Sequence, residues 1–455
     1  MPLMVPLTEA DVELLVRKDE WSNRGIEKLA AAFRTGKLNS LFGQLTKVAS
    51  RSLQRQGNAN GDKPWGQYYA RSVGLVVRGG RSTLYPAPYY LVIGAELPHH
   101  CPPSSLPAEA GALTVLTSSG VNLPDGGLSA LLPGDEFEAA KAYFLPGNPD
   151  LPRPEIDAKL LGKVMDESEK LNRCIVAVLT VHRANSVREA ISDKGLGFIR
   201  PFLARGAVFL GLHEGHGSEA VTDHVVMKLS GTASRPIWEK VKPRPMVRVL
   251  ARPQSLMYRL PKTIERQDDL VESDRRQIVQ LLSSMADNSF SDGWRKPATK
   301  AHVALVINGR QAVVVANNKH FEHPAQVTCA ESAACIVTWA LEWYMFPVIA
   351  VYSPHYRPKV NGDGAKAIRA PQPCKNCTGM LELRRPVLTY ADWPLRSSRE
   401  QEVAIGRRKA ARQDMLLLRY FPASGGEFAC VTGALNTLLG DTTHSEQEAQ
   451  VHRGG

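Results

Sequence analysis

Cysteine is scarce in this chain, with seven in 455 residues, and four of the seven fall in two short stretches. So few cannot form a disulfide scaffold, and the clustering suits a reducing compartment in which thiolates are kept for a metal. No apolar run is long enough to span a bilayer. The opening residues 1–7 are apolar but short, lack a basic flank and run at once into Glu9 and Asp11, which is not the pattern of a signal peptide. The expectation is a cytoplasmic protein without a membrane segment. A Gly-Lys-Ser/Thr phosphate loop is also missing, so phosphoryl transfer is not indicated.

What remains is an ordinary globular composition, 43% hydrophobic and 22% charged, neither collagen-like nor disordered. The length suggests two to three domains with sizeable cores. A net charge of +11 and a pI near 9.3 favour a polyanionic partner, namely RNA, DNA or a phosphorylated small molecule. Net charge speaks to association and not to fold, so a merely basic enzyme fits as well.

Along the first 260 residues, Thr8 can cap a helix over 9–18, and amphipathic stretches follow at 25–33 and 38–53. Strand-like runs are expected at 73–77, 89–93 and 113–116, joined by Pro- and Gly-rich connections at 98–111 and 120–134. A helix over 155–171 then precedes buried strands at 174–181 and 206–212. This region reads as α/β or α+β with its own core. At the end of its last strand lies His213-Glu214-Gly215-His216-Gly217-Ser218-Glu219, whose histidines lack the i, i+4 spacing of a helical metal pair. It reads as a polar loop, as does His99-His100-Cys101. A boundary is expected near 252–261, followed by a helix over 263–285 and a polar linkage over 288–300.

From residue 301 the pattern sharpens. Two β-branched runs joined by Asn308-Gly309 form a strong hairpin signal, because both turn residues tolerate positive φ. After a connection, Cys329-Ala330-Glu331 opens a helix through residue 344, and 346–352 is a buried strand. A long loop over 354–371 leads to Pro373-Cys374-Lys375-Asn376-Cys377 at the start of a second helix, 377–383. Helix starts favour thiolate over thiol. Cys374 and Cys377 share one face of a first turn, and with Cys329 they supply three ligands and leave a position for water. Zinc lowers the pKa of such a water to about 7, and Glu331 could carry its proton.

The order β-β-α-β-α and the paired motifs make residues 301 to 390 resemble the cytidine deaminase superfamily. That resemblance implies a three-layer α/β/α domain with a mixed sheet over 261–455, behind an unrecognised region over 1–260. It implies Zn2+ held by Cys329, Cys374 and Cys377, with Glu331 as proton shuttle. It further implies substrate contacts at Asn317 or Asn318, at Ala330 and at Glu322. Glu322 departs from the family's Asn-x-Glu spacing, since the chain reads Asn318-Lys319-His320-Phe321-Glu322. A cysteine as first ligand looks more like the free-nucleoside enzymes than like most nucleic-acid editors.

The expected function is hydrolytic deamination of a nucleobase, in a cytidine-type nucleoside or nucleotide, with release of ammonia. The alternatives are an RNA- or tRNA-directed base-editing enzyme whose N-terminal region presents single-stranded RNA, and a non-catalytic protein whose structural zinc is closed by Cys335. Self-association into a homo-oligomer is left open. Competing readings of single residues also stand: Thr328-x-x-Glu331 fits a capping box, and His320-Phe321-Glu322 could be the His-x-Glu half, although Pro324 denies it a helix. His302, His323 and His355 read as structural or surface residues. Arg399, Arg407, Arg408, Lys409 and Arg412 lie on a helical pattern that could track phosphates, with Tyr420 and Phe421 available to stack on bases. Residues 442–455 read as disordered.

Overall fold

The computed structural model describes residues 3–16, 41–45, 47–48, 71–95, 107–132, 134–144, 155–172, 174–182, 202, 207–213, 223–225, 249–250, 252–293, 296–300, 302–316, 329–341, 343, 346–354, 377, 416–422, 428–434 and 450–452. The elements run β1 (Met4–Leu7), α1 (Glu9–Val16), β2 (Arg71–Arg78), β3 (Tyr89–Ala95), α2 (Ala108–Ser119), α3 (Asp135–Phe144), α4 (Ala158–Asn172), β4 (Ile175–His182), β5 (Val208–His213), β6 (Asp223–Val225) and β7 (Val249–Leu250). They continue with β8 (Met257–Ile264), α5 (Glu272–Asn288), β9 (Ser289–Gly293), β10 (Lys296–Lys300), β11 (Val303–Ala316), α6 (Ala330–Ala340), β12 (Val348–Tyr352), β13 (Leu416–Pro422), β14 (Phe428–Ala434) and β15 (Gln450–His452). The fold is mixed α/β, with two open six-stranded sheets ordered β1-β3-β2-β4-β5-β6 and β15-β14-β13-β12-β11-β8, and a small sheet β10-β9-β7.

Local chemistry explains several of these elements. Thr8 and Asp11 cap α1 reciprocally, Asp11 N–H donating to Thr8 Oγ1 at 3.3 Å and Thr8 N–H to the Asp11 carboxylate at 2.8 Å. β11 is the expected hairpin in one element, and Gly309 takes φ +62° at its turn. Its residues alternate strictly. Val303, Leu305 and Ile307 face α5 in one core, whereas Ala304 and Val306 face α2 and α6 in the other. The second sheet is thus covered on both faces. The first sheet has α2 and α6 on one side, with α1 and helical residues 41–45 and 47–48 packed on it from the other; Ser72 Oγ donates to the Leu45 carbonyl at 2.6 Å. Layers therefore follow as helix, sheet, helix pair, sheet, helix, and the larger core joins residues on both sides of position 260.

Four expectations are corrected. Residues 113–116 are not a strand but the middle of α2, which is buried at every residue except Thr117. Residues 263–264 end β8, and α5 begins only at Glu272, where Asp274 accepts the Val271 N–H at 2.9 Å. β8 carries Pro261, which an edge strand tolerates because one side of its ladder is unpaired. The polar stretch 288–300 is the β9–β10 pair, antiparallel with an irregularity between Lys296 and Thr299. Residues 450–452 form the edge strand β15.

The connection between the two sheets is pinned at residues 252–254. Gln254 donates from its backbone to the Ser119 carbonyl at 3.0 Å and from Nε2 to the Ser118 carbonyl at 2.9 Å. Asn288 accepts the Arg252 N–H at 2.8 Å and donates to Gln254 Oε1 at 2.8 Å. The Tyr85 hydroxyl donates to the Gln254 carbonyl at 2.6 Å, and burial raises the phenol pKa, so it remains a donor at neutral pH.

Gly94 marks the tightest packing. A methyl there would lie 2.2 Å from the Ala108 carbonyl oxygen and 2.3 Å from the Ala112 nitrogen, both backbone atoms of α2. Neither can swing aside as a side chain would. Gly94→Ala is therefore expected to cost about 3 kcal/mol or more, at the upper end for overpacking. Urea unfolding reads this directly, and an unchanged midpoint would contradict the close approach.

Candidate metal centre

Topology brings the site together before any side chain is considered. The second arm of β11 ends at Ala316, beside the start of its first arm at Val303, and Val303 pairs with Tyr352 at the end of β12. α6 returns the chain to the turn end, where β12 opens with Val348 opposite Ile307. The segments leading into Cys329 and out of β12 toward Cys377 therefore leave the same end of the second sheet. In open α/β sheets, that kind of edge is where ligands are gathered.

Cys329 is the N-cap of α6, at φ −70° and ψ 161°, with no side-chain cap hydrogen bond. This makes Glu331 the second helical residue, whereas a capping box needs its acid at the third. The ligand atoms of Cys329, Glu331 and Cys377 all lie within 4.8 Å of one another. Cys377 Sγ donates to Glu331 Oε2 at 3.7 Å, and the Ser332 hydroxyl meets the same sulfur at 3.3 Å. Glu331 is 8% exposed and Cys377 0%, whereas Cys329 is half-buried, so the group opens on the Cys329 side.

Such a group can hold a metal ion. Two thiolates at about 2.3 Å from one zinc lie no more than about 4.6 Å apart, a span this cluster already approaches without rearrangement. Burial of a carboxylate beside two sulfurs is costly unless a proton or a cation is shared among them. The free N–H groups of the first turn of α6 add positive potential at the same point.

The other expected site residues sort clearly. Ala330 is buried as the first residue of α6. Cys374, Asn317, Asn318, Glu322, His320, His323, His355 and Thr328 lie outside the described residues. So do Arg399, Arg407, Arg408, Lys409 and Arg412, and residues 214–219 beyond His213 at the end of β5. Cys335 is buried in the main core, and the cluster does not include it. His302 is structural, its Nδ1 3.2 Å from Ser353 Oγ across the β11–β12 end. Tyr420 is corrected: it is buried in β13, its hydroxyl 3.5 Å from the Arg275 carbonyl of α5, and cannot stack on a base. Ser332 went unforeseen. Its signal was its place one residue after Glu331 in a first helical turn, close enough to reach the Cys377 sulfur.

An open depression of about 520 Å³, lined by Met257, Tyr258, Arg259, Asn308, Arg310 and Gln311, lies at the β11 turn and so at the opposite end of the hairpin from the thiols. Among the described residues no helix is long and apolar enough to cross a membrane. No protein-family model and no curated protein matches the chain.

Proposed function

We propose that the chain is a zinc-dependent hydrolytic deaminase of a nucleobase, acting on a cytidine-type nucleoside or nucleotide. The observation that carries the reading is the meeting of Cys329, Glu331 and Cys377 within 4.8 Å at the start of α6. Cys329 and Cys377, with Cys374 three residues before the latter, are the thiols that hold the ion. Zinc bound there would supply an acidified water as the nucleophile for the amine-bearing ring carbon.

The chain's own groups do the rest. Glu331 is held by the helix start beside the Cys329 and Cys377 sulfurs, where its carboxylate would take a proton from the attacking water. The carboxyl then delivers protons to the ring nitrogen and to the departing amine, so that the carbon gains oxygen and loses ammonia. Water and base enter on the Cys329 side, which is half-buried and not sealed. Ser332, by donating to the Cys377 sulfur, would orient that ligand and moderate its charge.

The test is a mass-spectrometric screen of nucleosides, nucleotides and total RNA for amine-to-oxygen exchange, run with the wild-type chain, the metal-stripped chain and Glu331→Ala. A product with the wild type alone supports the reading. Exchange only within RNA would assign the alternative substrate, and exchange that persists in Glu331→Ala would remove Glu331 from the reaction.

A further inference from the structure

The two large sheets repeat one another. In the first, β1 lies antiparallel on β3, β3 on β2 and β2 on β4, then β4 runs parallel to β5, and β5 lies antiparallel on β6. In the second, β8 lies antiparallel on the second arm of β11, the first arm on β12, then β12 runs parallel to β13, and β13 lies antiparallel on β14. The parallel pair falls at the same place, and a helix follows each hairpin. The inner strands are apolar runs in both sheets, Val73-Gly74-Leu75-Val76-Val77 and Val303-Ala304-Leu305-Val306-Ile307, but the likeness is one of topology: Val73 pairs with Gly94, which abuts α2, whereas Val303 faces α5. Val77 pairs with Ile175 as Ile307 pairs with Val348, and beyond the bulge the first sheet runs one residue out, Leu75 pairing with Val178 where Leu305 pairs with Ala350. The α3–α4 insertion and a bulge after Val76 mask the repeat in the linear chain.

The agreement extends to the helix starts. α2 begins after Pro107 at φ −67° and ψ 156°, α6 after Cys329 at φ −70° and ψ 161°. Pro107-Ala108-Glu109 thus occupies the positions of Cys329-Ala330-Glu331, and Glu109 is buried at 3% exposure as Glu331 is. What the first copy lacks is thiols at the matching places, its cysteines being Cys101 and Cys174. Proline replaces Cys329, and residues 183–207, which join β4 to β5 as 353–415 join β12 to β13, contain neither cysteine nor histidine.

α2 and α6 lie side by side between the sheets, each touching the other copy's hairpin as well as its own. A Cβ on Gly111 of α2 would meet Ile336 Cγ1 of α6 at 3.0 Å and Gly94 Cα at 3.4 Å, and Ile336 is fully buried. Ser118 Oγ of α2 accepts the Ala316 N–H at 3.1 Å, holding the end of the strand that leads to Cys329. We infer that the N-terminal half is a second copy of the metal-binding unit, stripped of its thiols, which seats α6: the chain carries one metal site, and Gly111 is a positioning residue for it. Carbon atoms in contact need about 3.5–4.0 Å. A methyl at Gly111 makes the Ile336 side chain give by a few tenths of an ångström, and the larger leucine is expected to shift α6 itself by more than the ±0.2 Å or so that metal–ligand distances tolerate.

This rests on the metal half of the reading above and not on the deamination. The experiment titrates the metal-free full-length chain with Co2+, following the thiolate-to-cobalt absorption. Saturation is expected at one equivalent per chain, unchanged in Glu109→Gln and lost in the Cys329→Ser/Cys377→Ser pair. Gly111→Leu should weaken Co2+ binding about tenfold, as changes behind a ligand do, with circular dichroism unaltered, and Ile336→Ala in the same chain should restore it. Should Gly111→Leu not fold, Gly111→Ala asks the same question, with a smaller loss relieved by Ile336→Val. Two equivalents, an absorption that survives the double serine variant, or a folded Gly111 variant binding Co2+ as tightly as the wild type overturns the inference. A wild type that binds no Co2+ overturns the metal reading itself.

Discussion

Glu331→Gln is expected to slow ammonia release by about 10²–10⁴-fold, the range a positioned proton carrier supplies, while the chain keeps its fold and its metal. The substitution is isosteric, and the amide oxygen it introduces could still accept from its neighbours, so packing at this buried helix start changes little. What is lost is a group that can take up and return a proton. Because the amide cannot ionise, the residual rate should show no rise with pH attributable to residue 331. Metal content and ammonia release measured on the same preparation separate the outcomes. Loss of metal in parallel with activity would make Glu331 a ligand. Retained activity would make it a structural carboxylate at a helix N-terminus.

The hairpin around Asn308-Gly309 and the start of α6 were legible because each is written in local chemistry, a turn pair that tolerates positive φ and a β-branched period of two. The strands at 73–77, 89–93 and 174–181 were legible for the same reason. α2 was not. Its Leu113-Thr114-Val115-Leu116 run reads as strand by composition, and a helix buried on every side but Thr117 has no polar face to betray a 3.6 period. The β9–β10 pair was hidden by the opposite cause, since its Ser, Asp, Lys and Thr are depleted or neutral as strand formers and look like linker, yet they pair in a small three-stranded sheet. At the site, spacing alone nominated Cys329, Glu331 and Cys377. That Cys335 stays out of the cluster follows from which side of α6 faces the core, and that Tyr420 is buried follows from the central position of β13; both are tertiary facts. The likeness of the two sheets lay unread because it is one of strand order and helix start, which the linear chain does not display.

Cys377→Ala and Cys335→Ala should part company sharply. Cys377 Sγ is shared between the Glu331 carboxylate and the Ser332 hydroxyl, at the meeting point of α6 and the segment after β12. Cys335 is buried too, yet it belongs to the main hydrophobic core and not to the cluster of ligand atoms. Removing a ligand thiol should cost more than the 10–100-fold typical of a residue behind a ligand, hence about 10³-fold or more in metal affinity. Removing Cys335 should leave affinity and stoichiometry alone and cost only the small cavity, about 1 kcal/mol in unfolding free energy. Thiolates must shed protons to bind, so wild-type affinity should fall as pH drops, and the slope should flatten in Cys377→Ala because one fewer proton is displaced. Had Cys335 closed a fourth position, its loss would weaken the metal as strongly as the loss of Cys377, and no place for water would remain beside Glu331. The ratio of the two affinities therefore decides between an open, reactive centre and a closed, structural one without any substrate being known.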